Sequence, residues 1–301
     1  MQGKRPHDAV RIALRRNWLV SILFLRCSGR WLDYIEIGTA TYNTLSQSHP
    51  GVGASVDMIH EYIVELRNRS RRSKHPFNRG RIFLNAAITD TPGVKNISMN
   101  RVSPRYMLKG CHRFIGAPIH CTCEPGNHTA TARELRRLGV QIMGNGCLAP
   151  QFMGMSSLQG QPFFLEKVVR PPSKAKLLLE RRHVPALTVD RLLWKLKASN
   201  VGTIKVDAEG FDGRIIGAFT AYMYTHVNFR PVEIVWECVH QSLEEKSWNM
   251  EFLKAMDYHC GVANNMDCGC RNAKSHLIRS GVVAAAAKAA IRVNRSAGKK
   301  K

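Results

Sequence analysis

An α/β fold built on a mostly parallel, doubly wound sheet is the class this sequence predicts, and three observations predict it. Short apolar runs of strand length recur and end at an acid or a glycine: Tyr34–Ile37 before Gly38, Gly53–Val56 before Asp57, Ile204–Val206 before Asp207, and the run 231–236 before Glu237. Between them lie segments with apolar residues at helical spacing, at 58, 59, 62, 63 and 66 and again at 187, 189, 192, 193 and 196. Strands alternating with helices favour a parallel sheet. A chain of 301 residues with 44% apolar content is also long enough to bury a full core.

The elements follow in order. Residues 1–30 form a basic arm, and the main domain spans 31–270. After the first strand, Thr44–Gln47 starts a helix that His49-Pro50-Gly51 ends. The second strand, at 53–56, leads into a helix over Met58–Leu66, and Arg67–Arg81 is a basic loop with seven Lys/Arg. A continuous third strand is expected over Arg81–Ile88, closed by Asp90 to Gly93. Residues 94–165 show no clear periodicity apart from a short helix at Thr131–Leu138, and read as an irregular insertion over the site. Helices are expected at Leu187–Leu196, Ile215–Phe219 and Trp248–Met256, with strands at 204–206 and 231–237 and a Cys-rich end at 260–270. The Ala-rich run 284–290 lacks an apolar face and sits in a basic tail, 271–301, expected to be disordered.

The formal charge is +23. Residues 1–30 carry seven Lys/Arg and one acid, and residues 271–301 carry nine Lys/Arg and no acid, so the ends hold most of the excess. Such ends offer non-specific contact with nucleic acid, or act as solvated tails. Nine cysteines leave at least one unpaired, and a chain of this length does not need staples. Free thiols in a reducing, cytoplasmic compartment are the expectation. The alternative is the secretory pathway, through the short apolar stretch Trp18–Leu25 behind the basic N-terminus. No run of 18 apolar residues points to a membrane span. Cys111-His112, His120-Cys121-Thr122-Cys123, His128 and Cys268-Gly269-Cys270 resemble zinc ligands in type, but C-x-C is tighter than the usual pairs, and no metal site is expected.

The chemistry is concentrated where strands meet acids. Ile204-Lys205-Val206-Asp207-Ala208-Glu209-Gly210-Phe211-Asp212 places three carboxylates at the carboxyl end of one strand, the edge where open α/β sheets bind ligands. The plain alternative is that these acids cap the next helix. Upstream, Glu36-x-Gly38 lacks the further glycines of G-x-G-x-x-G, so no phosphate cradle is expected. Asp57 lies 21 residues after Glu36 at a strand end, the position from which a carboxylate grasps ribose hydroxyls. One glycine turn, two strand-end acids and no phosphate loop suggest S-adenosylmethionine, whose positive sulfonium and ribose favour acidic surroundings.

Six segments occur in the order seen in FkbM-type methyltransferases, which the chain resembles over about residues 31–240. They are Tyr34-Ile-Glu-Ile-Gly-Thr39, Ser55-Val-Asp57, Asn85-Ala-Ala-Ile88, Met155-Ser-Ser-Leu158, Val184-Pro-Ala-Leu-Thr-Val-Asp190 and Ile204-Lys-Val-Asp-Ala-Glu-Gly-Phe211. The resemblance implies a Rossmann-like class I methyltransferase acting on oxygen of a small molecule or glycan. It further implies that Glu36 and Gly38, with Thr39 beside them, line the methionine end of the cofactor. Asp57 would bind the ribose, where the family more often shows Glu. Ala86 and Ala87 would lie near the adenine, and Asp207 and Glu209 would face the reaction centre. Ala40 and Tyr42 depart from the family's glycine turn, and the insertion after Gly93 is longer than expected.

Transfer of a methyl group to a hydroxyl needs alignment, desolvation and a base. Asp207, Glu209, His183 and His240 are candidate bases by type. Asp207 and Glu209 are alternatively ligands of a divalent cation, though no third ligand is evident. A rival reading is an RNA methyltransferase, or a nucleic-acid-binding protein on such a fold. It rests on the basic arm, loop and tail, which lack interleaved aromatics other than Phe77.

Overall fold

The computed structural model describes residues 29–39, 45–49, 51–72, 80–103, 106, 134–142, 163–208, 210–239, 241–262 and 266–275. The first strand, β1 (Arg30–Ile37), is buried along most of its length and runs parallel to both neighbours, β2 (Gly53–Asp57) and β9 (Ala198–Val206). All five residues of β2 are buried, as befits a strand covered on both faces. Beyond β2 lies β3 (Ile82–Asn85), and beyond β9 lies β10 (Glu233–Glu237), both also parallel. A hairpin of β11 (Tyr258–Val262) and β12 (Asp267–Asn272) closes the sheet, with β12 antiparallel to β10. The seven-stranded order is β11-β12-β10-β9-β1-β2-β3. It is a mostly parallel α/β sheet whose first five strands in chain order follow the doubly wound 3-2-1-4-5 arrangement.

The helices account for the chain between strands. A short α1 (Leu45–Ser48) follows β1, and α2 (His60–Arg72) buries Tyr62, Ile63 and Leu66 at helical spacing. After α3 (Phe163–Val168), α4 (Val189–Leu196) buries Val189, Leu192, Leu193 and Leu196. It stops at Lys197, which takes the left-handed conformation at φ 51°. Two longer helices, α5 (Asp212–Thr225) and α6 (Leu243–Lys254), flank β10 in sequence. At the start of α6, the Ser242 hydroxyl accepts the Glu245 backbone N–H at 3.1 Å. The helix therefore begins five residues before the apolar pattern predicts, at an S-x-x-E cap.

Two expectations about the middle of the chain are corrected. The third strand is not continuous: β3 ends at Asn85, Ala86 donates to the Asp57 carbonyl at 3.0 Å, and β4 (Ala87–Ile88) joins a different sheet. That second sheet has the order β4-β8-β5, with β5 (Asn96–Val102) antiparallel to β8 (Leu179–Leu187). The expected irregular insertion therefore contains a seven-residue strand, the short strand β6 (Gln141–Ile142) and the first half of α3. β6 pairs with β7 (Val169–Arg170). A second apolar core, including Met99, Val102, Leu165, Leu178 and Val184, packs these pieces onto Ile59 and Tyr62 beside and within α2. Arg101, 5% exposed, ties the layer down by donating to Glu61 of α2 at 2.5 Å and to Glu180 of β8 at 2.8 Å.

The free-thiol expectation is also corrected. Cys238 is bonded to Cys268, and Cys260 to Cys270. Cys260 and Cys270 face each other across the β11–β12 hairpin, and Cys238 follows β10, so the four cysteines staple the sheet edge. Cys268 and Cys270 are thereby excluded as zinc ligands, and the argument from free thiols to a reducing compartment falls. The other zinc-like cluster, 111–128, lies outside the described residues, as do Ala40, Tyr42 and residues 155–158. Among the described residues, no helix is long and apolar enough to cross a membrane, and no group of three or more His, Cys, Asp or Glu is placed to hold a metal ion.

Candidate functional site

The sheet reverses its winding between β1 and β9, because the chain proceeds from β1 outward to β3 and then returns to build the other half. Adjacent connections part at such a point and leave a crevice at the carboxyl ends of the strands. The crevice is present. Its lining comes from Ile37 and Gly38 after β1, and from Val56, Asp57, Met58 and Ile59 around the end of β2, with Tyr62 from α2. The remaining walls are Ala86, Ala87 and Ile88, Asp207 and Ala208 after β9, and Phe211 and Ile215 at α5. The space between these residues, counting the solvent at its mouth, is about 510 Å³.

Gly38 is where the two halves touch. Its φ is +76°, and a Cβ there would stand 1.6 Å from the Asp207 carbonyl oxygen. The turn after β1 is also pinned by Gly38 N–H to the Val56 carbonyl at 2.9 Å, and by Asp207 N–H to the Ile37 carbonyl at 2.8 Å. A glycine is required by the close approach of backbone, independently of any ligand.

Asp57 is only 6% exposed and already well occupied. One carboxylate oxygen accepts the Ile59 N–H at 2.7 Å, and the other accepts the Thr39 N–H at 2.7 Å and the Thr39 hydroxyl at 2.8 Å. Three of about four lone-pair positions are used, which leaves room for one more donor, on the Ile59 side. Burial pushes this carboxyl above its ordinary range, against the lowering effect of the three donors. Thr39 is not a lining residue. It acts by holding Asp57.

Glu36 stands apart from the lining. Fully buried, it accepts the Leu45 N–H at 2.8 Å and so holds the start of α1, and its second oxygen lies 3.4 Å from the Ser55 hydroxyl. Burial pushes its carboxyl up to about 7, opposed by the Leu45 N–H and by Lys205, whose ammonium lies 3.9 Å away.

The acidic turn after β9 divides its labour. Asp212, 1% exposed, accepts the Ala208 N–H at 2.8 Å and the Gly210 N–H at 3.0 Å, fastening the loop to the first turn of α5. Burial pushes its carboxyl up to about 7, with the Asp207 charge adding to the effect. Asp212 therefore serves the loop and does not cap the helix: the N-cap position of α5 is Phe211, which makes no side-chain cap hydrogen bond. Asp207 differs: its side chain is 26% exposed, lines the cleft, and lies 3.7 Å from the Lys205 ammonium. Burial pushes Asp207 above the usual carboxylate range, while Lys205 lowers it and Asp267 raises it further.

Of the residues singled out from sequence, Gly38, Asp57, Ala86, Ala87 and Asp207 thus meet in one cleft. Glu209 and His240 lie outside the described residues. His183 is on β8, with its Nδ1 3.1 Å from the Ser98 hydroxyl across the β5–β8 pair, and does not line the cleft. The apolar walls Ile59, Tyr62 and Ile215 were read from sequence only as core positions of their helices. No signal in one helix tells which of its buried residues border a void.

The described lining contains two carboxylates, a broad apolar surface and no Lys or Arg. Such a site disfavours polyphosphates and favours a neutral or cationic ligand with an apolar body. Comparison with protein-family models, with curated proteins and with solved structures finds no match to this chain.

Proposed function

We propose that the chain is an S-adenosylmethionine-dependent methyltransferase of the FkbM type, on a Rossmann-like class I fold, acting on an oxygen of a small molecule or glycan. The observation that carries this reading is the convergence of Gly38, Asp57, Ala86, Ala87 and Asp207 on one cleft at the switch point of the sheet. The lining suits the cofactor, since an acid-flanked crevice with no Lys or Arg among its described residues favours a sulfonium and a nucleoside over a pyrophosphate. The available lone pair of Asp57 would take one ribose hydroxyl, and Ala86 and Ala87 would leave space beside the adenine. When bound, S-adenosylmethionine supplies an electrophilic methyl group.

The chain's own residues supply the rest. Asp207, raised by burial above the usual carboxylate range and still reachable from the cleft, is placed to accept the proton of an acceptor hydroxyl. Phe211, Ile215 and Ile88 exclude water around it. Asp212 and Gly210 keep the Asp207 turn in place.

The test is calorimetric titration of the folded protein with S-adenosylmethionine and S-adenosylhomocysteine. Saturable heat is expected, and its absence from both titrations would refute the reading. A paired comparison assigns the two acids. Asp207→Asn should lower turnover at least tenfold with the melting temperature held, whereas Asp212→Asn should lower the melting temperature first. Equal loss of stability in both variants would return Asp207 to a structural role.

The two disulfides favour an oxidising compartment for this enzyme over the cytoplasm. Of the five arginines in the described part of the basic loop, Arg71 and Arg72 are exposed and three are engaged within the chain. Arg69 is paired with Glu65, Arg67 donates to the Phe83 carbonyl, and Arg81 donates to the Ser46, His49 and Gly51 carbonyls.

A further inference from the structure

Among the described residues, an ion pair joins the segments that carry two walls of the cleft. On the β4 side, the lining ends at Ile88 and the chain continues to Asp90. On the α5 side, Phe211 and Ile215 line the cleft, and Arg214 lies between them in sequence. Arg214 donates to both Asp90 carboxylate oxygens, Nε to Oδ2 and Nη2 to Oδ1, each at 2.9 Å. The guanidinium also sits 4.5 Å from the centroid of the Phe211 ring. Asp90 is itself oriented, since the Thr91 hydroxyl donates to its Oδ1 at 3.1 Å and the Thr91 N–H donates to the Thr89 hydroxyl at 3.1 Å.

A two-pronged Arg–carboxylate pair with its guanidinium stacked on a ring holds one geometry better than a single Lys contact would. The sequence separation is 124 residues, so the pair joins segments that nothing local holds together. Neither residue lines the cleft, and the two side chains remain 47% and 32% exposed, open to salt.

We propose that Asp90 and Arg214 form a strap across the cleft mouth, which must part for ligand to enter or leave. The strap is a positioning device: it holds the β4 wall against Phe211 and Ile215, and it touches no reacting atom. This rests on the proposed reading of the cleft as the cofactor site, but the strap itself is a property of the free protein. Passage through a transiently open state has a clear kinetic signature. Weakening the strap raises association and dissociation rates together and leaves their ratio, the affinity, nearly unchanged. Exposed pairs are modest, so the expected change is about fivefold in each rate.

Three variants test it: Asp90→Asn, Arg214→Gln, and the exchanged pair Asp90→Arg with Arg214→Asp. Stopped-flow mixing with S-adenosylhomocysteine should show both rates raised about fivefold in each single variant. The exchanged pair should move them back toward the starting values. Raising salt from 50 to 500 mM should speed the unaltered protein and leave the single variants unchanged. Amide hydrogen exchange without ligand should show faster exchange at 86–93 and 210–216 in both single variants, with the rest of the sheet unaffected.

A rise in dissociation rate alone would overturn the proposal, because it would mean the pair supports the bound ligand and does not gate it. Unchanged rates would overturn it as well. If S-adenosylhomocysteine does not bind the unaltered protein, the function reading fails and hydrogen exchange alone judges the strap. Faster exchange confined to the two rim segments then supports it, and unchanged exchange refutes it.

Discussion

Asp57 shows how one residue serves fold and site at once. Its carboxylate satisfies the Thr39 N–H, the Thr39 hydroxyl and the Ile59 N–H, joining the turn after β1 to the start of α2. Asp57→Ala leaves three donors without an acceptor, each orphan costing about 1–3 kcal/mol where water cannot reach it. Since the cleft is open, water recovers part of that, and a loss of about 2–4 kcal/mol is expected in urea denaturation. Affinity for S-adenosylmethionine should fall in the same variant. Asp57→Asn retains an acceptor oxygen and should lose less of both. Full affinity in the alanine variant would remove Asp57 from the binding role.

Glu36 makes the pH dependence predictable. Its carboxyl stands near 7 in the folded chain against an ordinary 4.5, chiefly because it is buried, with Lys205 and the Leu45 N–H opposing and Asp207 adding. A carboxyl that holds its proton more tightly when folded contributes stability at low pH, and that contribution is lost as pH rises from about 4.5 to about 7. The shift corresponds to about 3 kcal/mol. Asp212, also raised to about 7, has the same sign. The native protein should therefore lose stability as pH rises from about 4 to about 7. Glu36→Gln, which keeps an acceptor for Leu45, should show a shallower slope, with Asp212, Asp57 and Asp207, all raised by burial, supplying the rest. Parallel profiles for the two proteins would mean that Glu36 is not the titrating group.

Among the elements, the terminal hairpin depends most on covalent bonds. β12 is the antiparallel strand of an otherwise parallel sheet, and it is fastened to β10 through Cys238–Cys268 and to β11 through Cys260–Cys270. Closing a loop of 30 residues in the unfolded chain corresponds to about 3.5 kcal/mol, and one of 10 residues to about 2.7 kcal/mol. Cys238→Ser with Cys268→Ser should therefore lower the melting temperature more than Cys260→Ser with Cys270→Ser. A reductant should reproduce the combined loss in the unaltered protein. An unchanged melting temperature under reduction would show that the hairpin stands without its staples.

On the scale of the whole molecule, charge and chemistry are separated. The described cleft lining has no Lys or Arg, while most of the formal +23 is carried by 1–30 and 271–301. Binding to nucleic acid through such ends is carried by counterion release, and is therefore steep in salt and indifferent to sequence. Removing 276–301 should abolish most retention on DNA or RNA at low salt and leave S-adenosylmethionine binding intact. A full chain that held and methylated a defined RNA at 200 mM salt would displace the small-molecule reading.

The sequence by itself determined the parallel sheet, the helices between its strands and five of the cleft residues. Burial on both faces writes strands as apolar runs, and the acids and glycine at their ends stand out against that background. Gly38 and Asp57 were legible because a turn and a strand end constrain residue type locally. What only the tertiary structure decided depends on contacts distant in sequence. Ala86 looks like the interior of one strand, and only the neighbours Asp57 and Ala186 show that the chain changes sheets there. The four bonded cysteines have spacings that admit several pairings, and the hairpin register selects one. Asp207 and Asp212 are the same residue type five positions apart. One points into a cleft and the other into its own loop because α5 turns one of them inward, a direction no composition or spacing encodes.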